Sequence, residues 1–112
     1  MVKHSFIVKS DTDIIINLIV DDISNIKVDD DKYTISYDTS KIFLTRENEE
    51  TKFNLTCDSS IKEAIITLKK TNTVVSIPIE KIDYSIDEEG FILTYKLESM
   101  DSSLDISLKK FK

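Results

Sequence analysis

Apolar and polar side chains alternate along most of this chain, and a period of two restricts such segments to strands with one buried face. Tyr33, Ile35 and Tyr37 fall on one side, with Thr34 and Ser36 on the other. Phe53, Leu55 and Cys57 repeat the pattern opposite Lys52, Asn54 and Thr56. Val75, Ile77 and Ile79 follow, then Ile82, Tyr84 and Ile86. Phe91, Leu93, Tyr95 and Leu97 make the longest run, and Leu104, Ile106 and Leu108 end the series.

Polar clusters separate these runs. Asp29-Asp30-Asp31-Lys32 precedes Tyr33, Glu47-Asn48-Glu49-Glu50 precedes Phe53, and Lys69-Lys70-Thr71-Asn72-Thr73 divides two strands. Asp87-Glu88-Glu89-Gly90 is the clearest hairpin, where Gly90 can take the positive φ that closes a short loop. Glu98 to Ser103 links the last two runs. Turns at this spacing predict an antiparallel all-β sandwich or small barrel and leave little room for the crossover helices of a parallel sheet. Abundant Ile, Val and Thr agree with that, as does the scarcity of glycine and proline, one of each.

Towards the N-terminus, Phe6 to Val8 predicts a first strand, Ile14 to Val20 a second, and a short element around Ile23 and Ile26 ends at Val28. Ile61 to Leu68 reads two ways. Ile61, Ala64, Ile65 and Leu68 fit helical spacing, with Ser60 and Glu63 as a capping box, whereas Ala64, Ile66 and Leu68 alternate as a strand. The β-branched run Ile65-Ile66-Thr67 favours the strand. No linker, repeat or low-complexity tract interrupts the chain, so residues 1–112 read as a single domain.

Charge narrows the function classes. With 21 acids against 15 bases the formal charge is −6, and Arg46 is the only arginine. Such a field repels phosphate, so neither nucleic acid nor an anionic membrane is expected as a partner. The N-terminus lacks the apolar core of a signal peptide, and the stretch from Ile14 to Val20 is too short to span a bilayer. A cytoplasmic location is the expectation.

Catalytic and metal chemistry find few candidates. Nucleophilic catalysis needs a base beside the nucleophile, and the lone histidine, His4, sits at what reads as a loose terminus. Cys57, the only cysteine, lies in a strand alternation and reads as a buried, inert thiol. Zinc needs about four Cys or His ligands, more than this chain has. The acids at Asp11/Asp13, Asp21/Asp22 and Asp29 to Asp31 lack the spacing of a calcium loop and read as solvated turns. Glu63, Asp83 and Glu98 are isolated strand acids, and one glycine cannot build a phosphate-cradling loop. No catalytic residue, metal or cofactor is assigned, and the chain is read as not an enzyme.

The C-terminal third carries a family resemblance. Ile79-Glu80-Lys81-Ile82-Asp83-Tyr84-Ser85-Ile86-Asp87-Glu88-Glu89-Gly90 runs into Phe91-Ile92-Leu93-Thr94-Tyr95-Lys96-Leu97, and Leu104-Asp105-Ile106-Ser107-Leu108 follows. Upstream stands Tyr33-Thr34-Ile35-Ser36-Tyr37-Asp38. This arrangement resembles the YwiB-like family of small uncharacterised bacterial proteins. The resemblance implies a calycin-like β-barrel, whose mouth would admit a small apolar ligand.

Two roles follow as expectations. The first is a non-catalytic interaction or structural module that uses its edge strands to bind an unknown protein partner or to self-associate. The second is a calycin-type binder of a small apolar ligand, lined by Tyr33, Tyr37, Tyr84, Phe91 and Tyr95.

Overall fold

The computed structural model describes residues 2–11 and 13–111. Among them are eleven strands and no helix. In chain order these are β1 (His4–Ser10), β2 (Asp13–Val20), β3 (Ile26–Val28), β4 (Asp31–Tyr37), β5 (Ile42–Glu47), β6 (Thr51–Cys57), β7 (Lys62–Leu68), β8 (Thr73–Ile77), β9 (Ile79–Asp87), β10 (Gly90–Leu97) and β11 (Leu104–Lys110). They form two open antiparallel sheets, one ordered β2-β1-β11-β10-β9 and the other β3-β4-β5-β6-β7-β8. Neither closes into a barrel. The chain divides into two compact units that follow the sheets: Met1–Asp21 with Ile79–Lys112, and Asp22–Pro78.

In the five-stranded sheet, β1 pairs with β11 and brings the two ends of the chain together. Apolar side chains then line up across strands: Phe6 opposite Leu108, opposite Phe91, opposite Ile86, and beside it Val8, Ile106, Leu93 and Tyr84. Phe6, Phe91, Leu93 and Leu108 are wholly buried. Each such side chain contributes about 1.5–3 kcal/mol by leaving water. The six-stranded sheet is a chain of hairpins. One of its rows runs Ile35, Leu44, Leu55, Ala64 and Ile77, buried from β4 through β7 and half-exposed at β8.

The ambiguous segment is a strand. Lys62–Leu68 pairs along its length with β6, placing Ala64 against Leu55 and Ile66 against Phe53. A helix there would remove this ladder and expose Phe53. β5 escapes the period-two reading because Ile42-Phe43-Leu44 is continuously apolar and Arg46 occupies the next core-side position. The run Val75, Ile77, Ile79 is split: Pro78, which has no N–H to donate, stands where the chain leaves one sheet for the other.

Side-chain acceptors turn the hairpins in place of glycine. The Asp38 carboxylate accepts the N–H groups of Ser40 (2.8 Å) and Lys41 (2.9 Å). The Asn48 carbonyl accepts those of Glu50 and Thr51, both at 2.9 Å, and Asp58 accepts Ser60 N–H at 3.1 Å. Asp87 does the same for Glu89 and Gly90. Asx turns of this kind mimic a backbone turn and satisfy donors that a tight loop would orphan.

Gly90 is needed for a reason the turn alone does not convey. Its φ is +149°, and a Cβ there would sit 1.8 Å from the Leu108 carbonyl oxygen of β11. The neighbouring strand, more than the loop, excludes a side chain. Gly90→Ala should therefore destabilise the protein by about 3 kcal/mol or more, combining backbone strain with overpacking against a strand. Glu88→Ala, in the same hairpin but exposed, should stay within about 0.5 kcal/mol of the parent. Urea unfolding of the two variants measures the contrast, and equal midpoints would disprove the steric account.

Candidate functional site

The five aromatic residues expected to line a ligand cavity divide between the two units. Tyr33 and Tyr37 lie on β4; Tyr84 lies on β9, and Phe91 and Tyr95 on β10. Tyr33, Phe91 and Tyr95 are buried, whereas Tyr37 and Tyr84 are partly exposed. Within the five-stranded sheet Tyr84 faces Leu93, Phe91 faces Ile86, and Tyr95 faces Ile82, so these rings share the apolar face of one hairpin. Tyr33 faces Arg46, whose guanidinium lies 5.8 Å from the Phe53 ring. Burial raises the Tyr33 phenol above its usual pKa, and Arg46 partly offsets that.

The titratable candidates separate in the same way. Cys57 is fully buried, and desolvation pushes its thiol up to about 11. A thiol so shifted has almost no thiolate at neutral pH, which leaves it a poor nucleophile. It should be inert to a disulfide reagent at pH 8 in the folded protein and react fully once urea unfolds the chain. Fast labelling of the native state would contradict this burial. Glu63 and Asp83 are exposed on β7 and β9, and Glu98 is exposed after β10. Among the described residues no three His, Cys, Asp or Glu side chains gather as a metal site.

His4 departs from the reading of a loose terminus. It is the first residue of β1, paired with Lys110 on β11 and Val20 on β2, and only 8% exposed. Its Nδ1 is buried with no hydrogen-bond partner. Pairing of the chain ends places it there, which a local reading of the sequence does not reveal. Burial first, and Lys110 second, lower its pKa below the usual 6.5. A histidine whose folded pKa is depressed favours the neutral form, so its contribution is complete above the unfolded pKa and is lost as pH falls below it. Stability should decline from pH 7 to pH 5.5, and His4→Phe should flatten that slope. Urea midpoints across this range test it; an unchanged slope in the variant would refute it.

One concave feature stands out, a cleft of about 380 Å³ lined by Asp30, Asn48, Glu49 and Glu50. These are turn residues. Asn48 is already committed to its turn and donates to Asp31 at 3.0 Å.

The sheet edges are more informative. Each sheet has two, and two of the four are guarded. β9 carries Glu80, Lys81, Asp83 and Asp87 along nine residues, and β3 is three residues long with Lys27 at its centre. Charge and brevity both discourage pairing with another strand. β2 has neither guard: between Asp13 and Val20 every residue but Asn17 is apolar, with Ile14 and Ile15 each 58% exposed and Ile19 51% exposed. β8 is the same in miniature, Thr73-Val74-Val75-Ser76-Ile77, with Val74 64% and Val75 44% exposed. β2 projects apolar groups from both of its faces, because only Ile16 is buried. No helix among the described residues is long and apolar enough to cross a membrane. Compared with known protein families, curated proteins and solved structures, the chain finds no match in any of the three.

Proposed function

We propose that this chain is a non-catalytic interaction module whose working surface is the unguarded sheet edge. The observation that carries this reading is β2: eight residues at the end of a sheet, apolar on both faces, with Ile14, Ile15 and Ile19 in solvent. An edge strand presents a row of unpaired N–H and C=O groups. A second strand can complete the row while covering exposed apolar side chains. Burying three isoleucines would supply several kcal/mol towards such an association. Chemistry has less support, since Cys57 is buried with a raised pKa and Glu63, Asp83 and Glu98 are each exposed, on β7, on β9 and after β10.

The runner-up is the calycin-type binder of a small apolar ligand that the YwiB-like resemblance implies. Burial of Tyr33, Phe91 and Tyr95 is its support, and a filled core would bury them equally well. Exposed isoleucines along an edge whose only charge is the terminal Asp13 are not accounted for by core filling, which ranks the interaction module first.

The module reading predicts association that depends on the edge. Ile15→Lys/Ile19→Lys should leave the circular dichroism spectrum of the chain unchanged and remove its binding, to itself or to a partner protein, by at least tenfold. Binding that survives this variant would defeat the assignment of the working surface. So would a chain that associates with nothing over the whole concentration range.

A further inference from the structure

The four edges differ in charge as well as in polarity. β2 is bracketed by acids, Asp11 before it, Asp13 as its first residue, and Asp21 and Asp22 after it. All are at the surface, with Asp21 in a long, exposed contact with Lys3 (3.9 Å) and Asp22 accepting from Ser24. If two copies of β2 paired antiparallel, Asp11 and Asp13 of each would meet Asp21 and Asp22 of the other, at both ends of the new ladder. Like charges opposed in this way destabilise a strand pair. The edge therefore calls for a different strand, apolar in the middle and basic at the end that meets Asp21 and Asp22.

This chain contains one. β8 is uncharged, and the loop that leads into it carries Lys69 and Lys70. Lys69 already pairs with Glu47 at 2.6 Å, which leaves Lys70, exposed at the tip, as the cation on offer. In an antiparallel pair the start of β8 lies beside the end of β2, so Lys70 comes to the Asp21-Asp22 corner. The lengths agree too. The β1–β2 register shifts between Val8 and Lys9, with Ile15 as the extra residue, so the regular part of β2 is Ile16–Val20. That stretch is five residues long, as is β8.

We infer that β2 of one molecule pairs antiparallel with β8 of another, and that the chain assembles head to tail through this contact. The inference rests on the edge-binding reading above and names its partner as a second copy of this chain. Each molecule offers one β2 and one β8. The contact is heterologous, and it propagates into a filament or closes into a ring. Chains of alternating edges would bury Ile19, Val74 and Val75 while pairing opposite charges at the corner.

Two blocked proteins test it. Ile19→Lys spoils the β2 edge and leaves β8 intact; Val74→Lys/Val75→Lys does the reverse. All three side chains are exposed, so each protein should fold, as circular dichroism and urea unfolding would verify. In sedimentation velocity the parent should form species larger than a dimer as concentration rises. Each blocked protein alone should be monomeric. An equimolar mixture of the two should give dimers and nothing larger, because only one good junction can form. Lys70→Glu in the parent should weaken assembly by roughly fivefold or more, because it removes one exposed ion pair and sets a like charge against Asp21 and Asp22. Asp21→Lys/Asp22→Lys added to it should recover part of the loss.

A mixture that stays monomeric, or a blocked protein that still self-associates, would overturn the head-to-tail contact. If Ile19→Lys abolished association and Val74→Lys/Val75→Lys did not, β2 would be pairing with itself and the inference would fail. A monomeric parent that nonetheless binds a foreign protein through β2 would also overturn it, while sparing the interaction module. A monomeric parent with no β2-dependent partner would remove both.

Discussion

The ladder between β1 and β11 is the contact on which the five-stranded sheet depends. It joins residues 4–10 to residues 104–110, the two ends of the chain, across seven register pairs. Closing so long a loop costs entropy before any side chain is buried. What offsets that cost is the row it completes, in which Phe6 joins Leu108 and Phe91, all removed from water. The six-stranded sheet is different in kind. Each of its strands pairs with the next in sequence, so each step closes only a short loop. Local hairpins form quickly and distant ladders slowly, so the two units face different kinetic problems despite similar composition.

A chain with one glycine must make its turns by other means, and here the side chains of Asp and Asn do it. Asp38, Asn48, Asp58 and Asp87 each accept backbone N–H groups from the residues just ahead. The same bonds hold the Asp38 and Asp58 carboxyls below the usual range, and Asp87 is lowered chiefly by Lys109 at 3.0 Å. Part of the acidity that suggested an anionic surface is thus structural, spent on turns. The exception is Gly90, kept clear by the backbone of β11.

Edges are where a β protein must prevent association or permit it. β9 and β3 show prevention, by charge and by brevity. β2 and β8 lack both devices, and the charges near them have opposite sign, Asp21 and Asp22 at one and Lys70 at the other. An apolar edge with acids at both ends discourages its own copy and still admits a strand of other charge. Selectivity of this kind comes from what is repelled as much as from what is attracted.

The sequence by itself determined most of the strands and the inward faces of several of them, though not at β8, where Val75 is exposed. Period-two alternation is local, and Tyr33/Ile35, Phe53/Leu55/Cys57 and Phe91/Leu93/Tyr95 each occupy the buried side that it predicts. It lost β5, where Phe43 and Arg46 break the pattern, and it ran across Pro78, because neither burial nor a change of sheet is written in the alternation. Tertiary structure alone decided which strands are edges. Ile14 to Val20 is the more apolar string, six of seven residues against five of seven in Phe91 to Leu97, yet β10 lies between β9 and β11 while β2 has a neighbour on one side only. Exposure of Ile15 and Ile19, burial of His4, and the need for glycine at position 90 all follow from pairings between distant segments. No local pattern encodes those, because a backbone hydrogen bond reads nothing of the residues that make it.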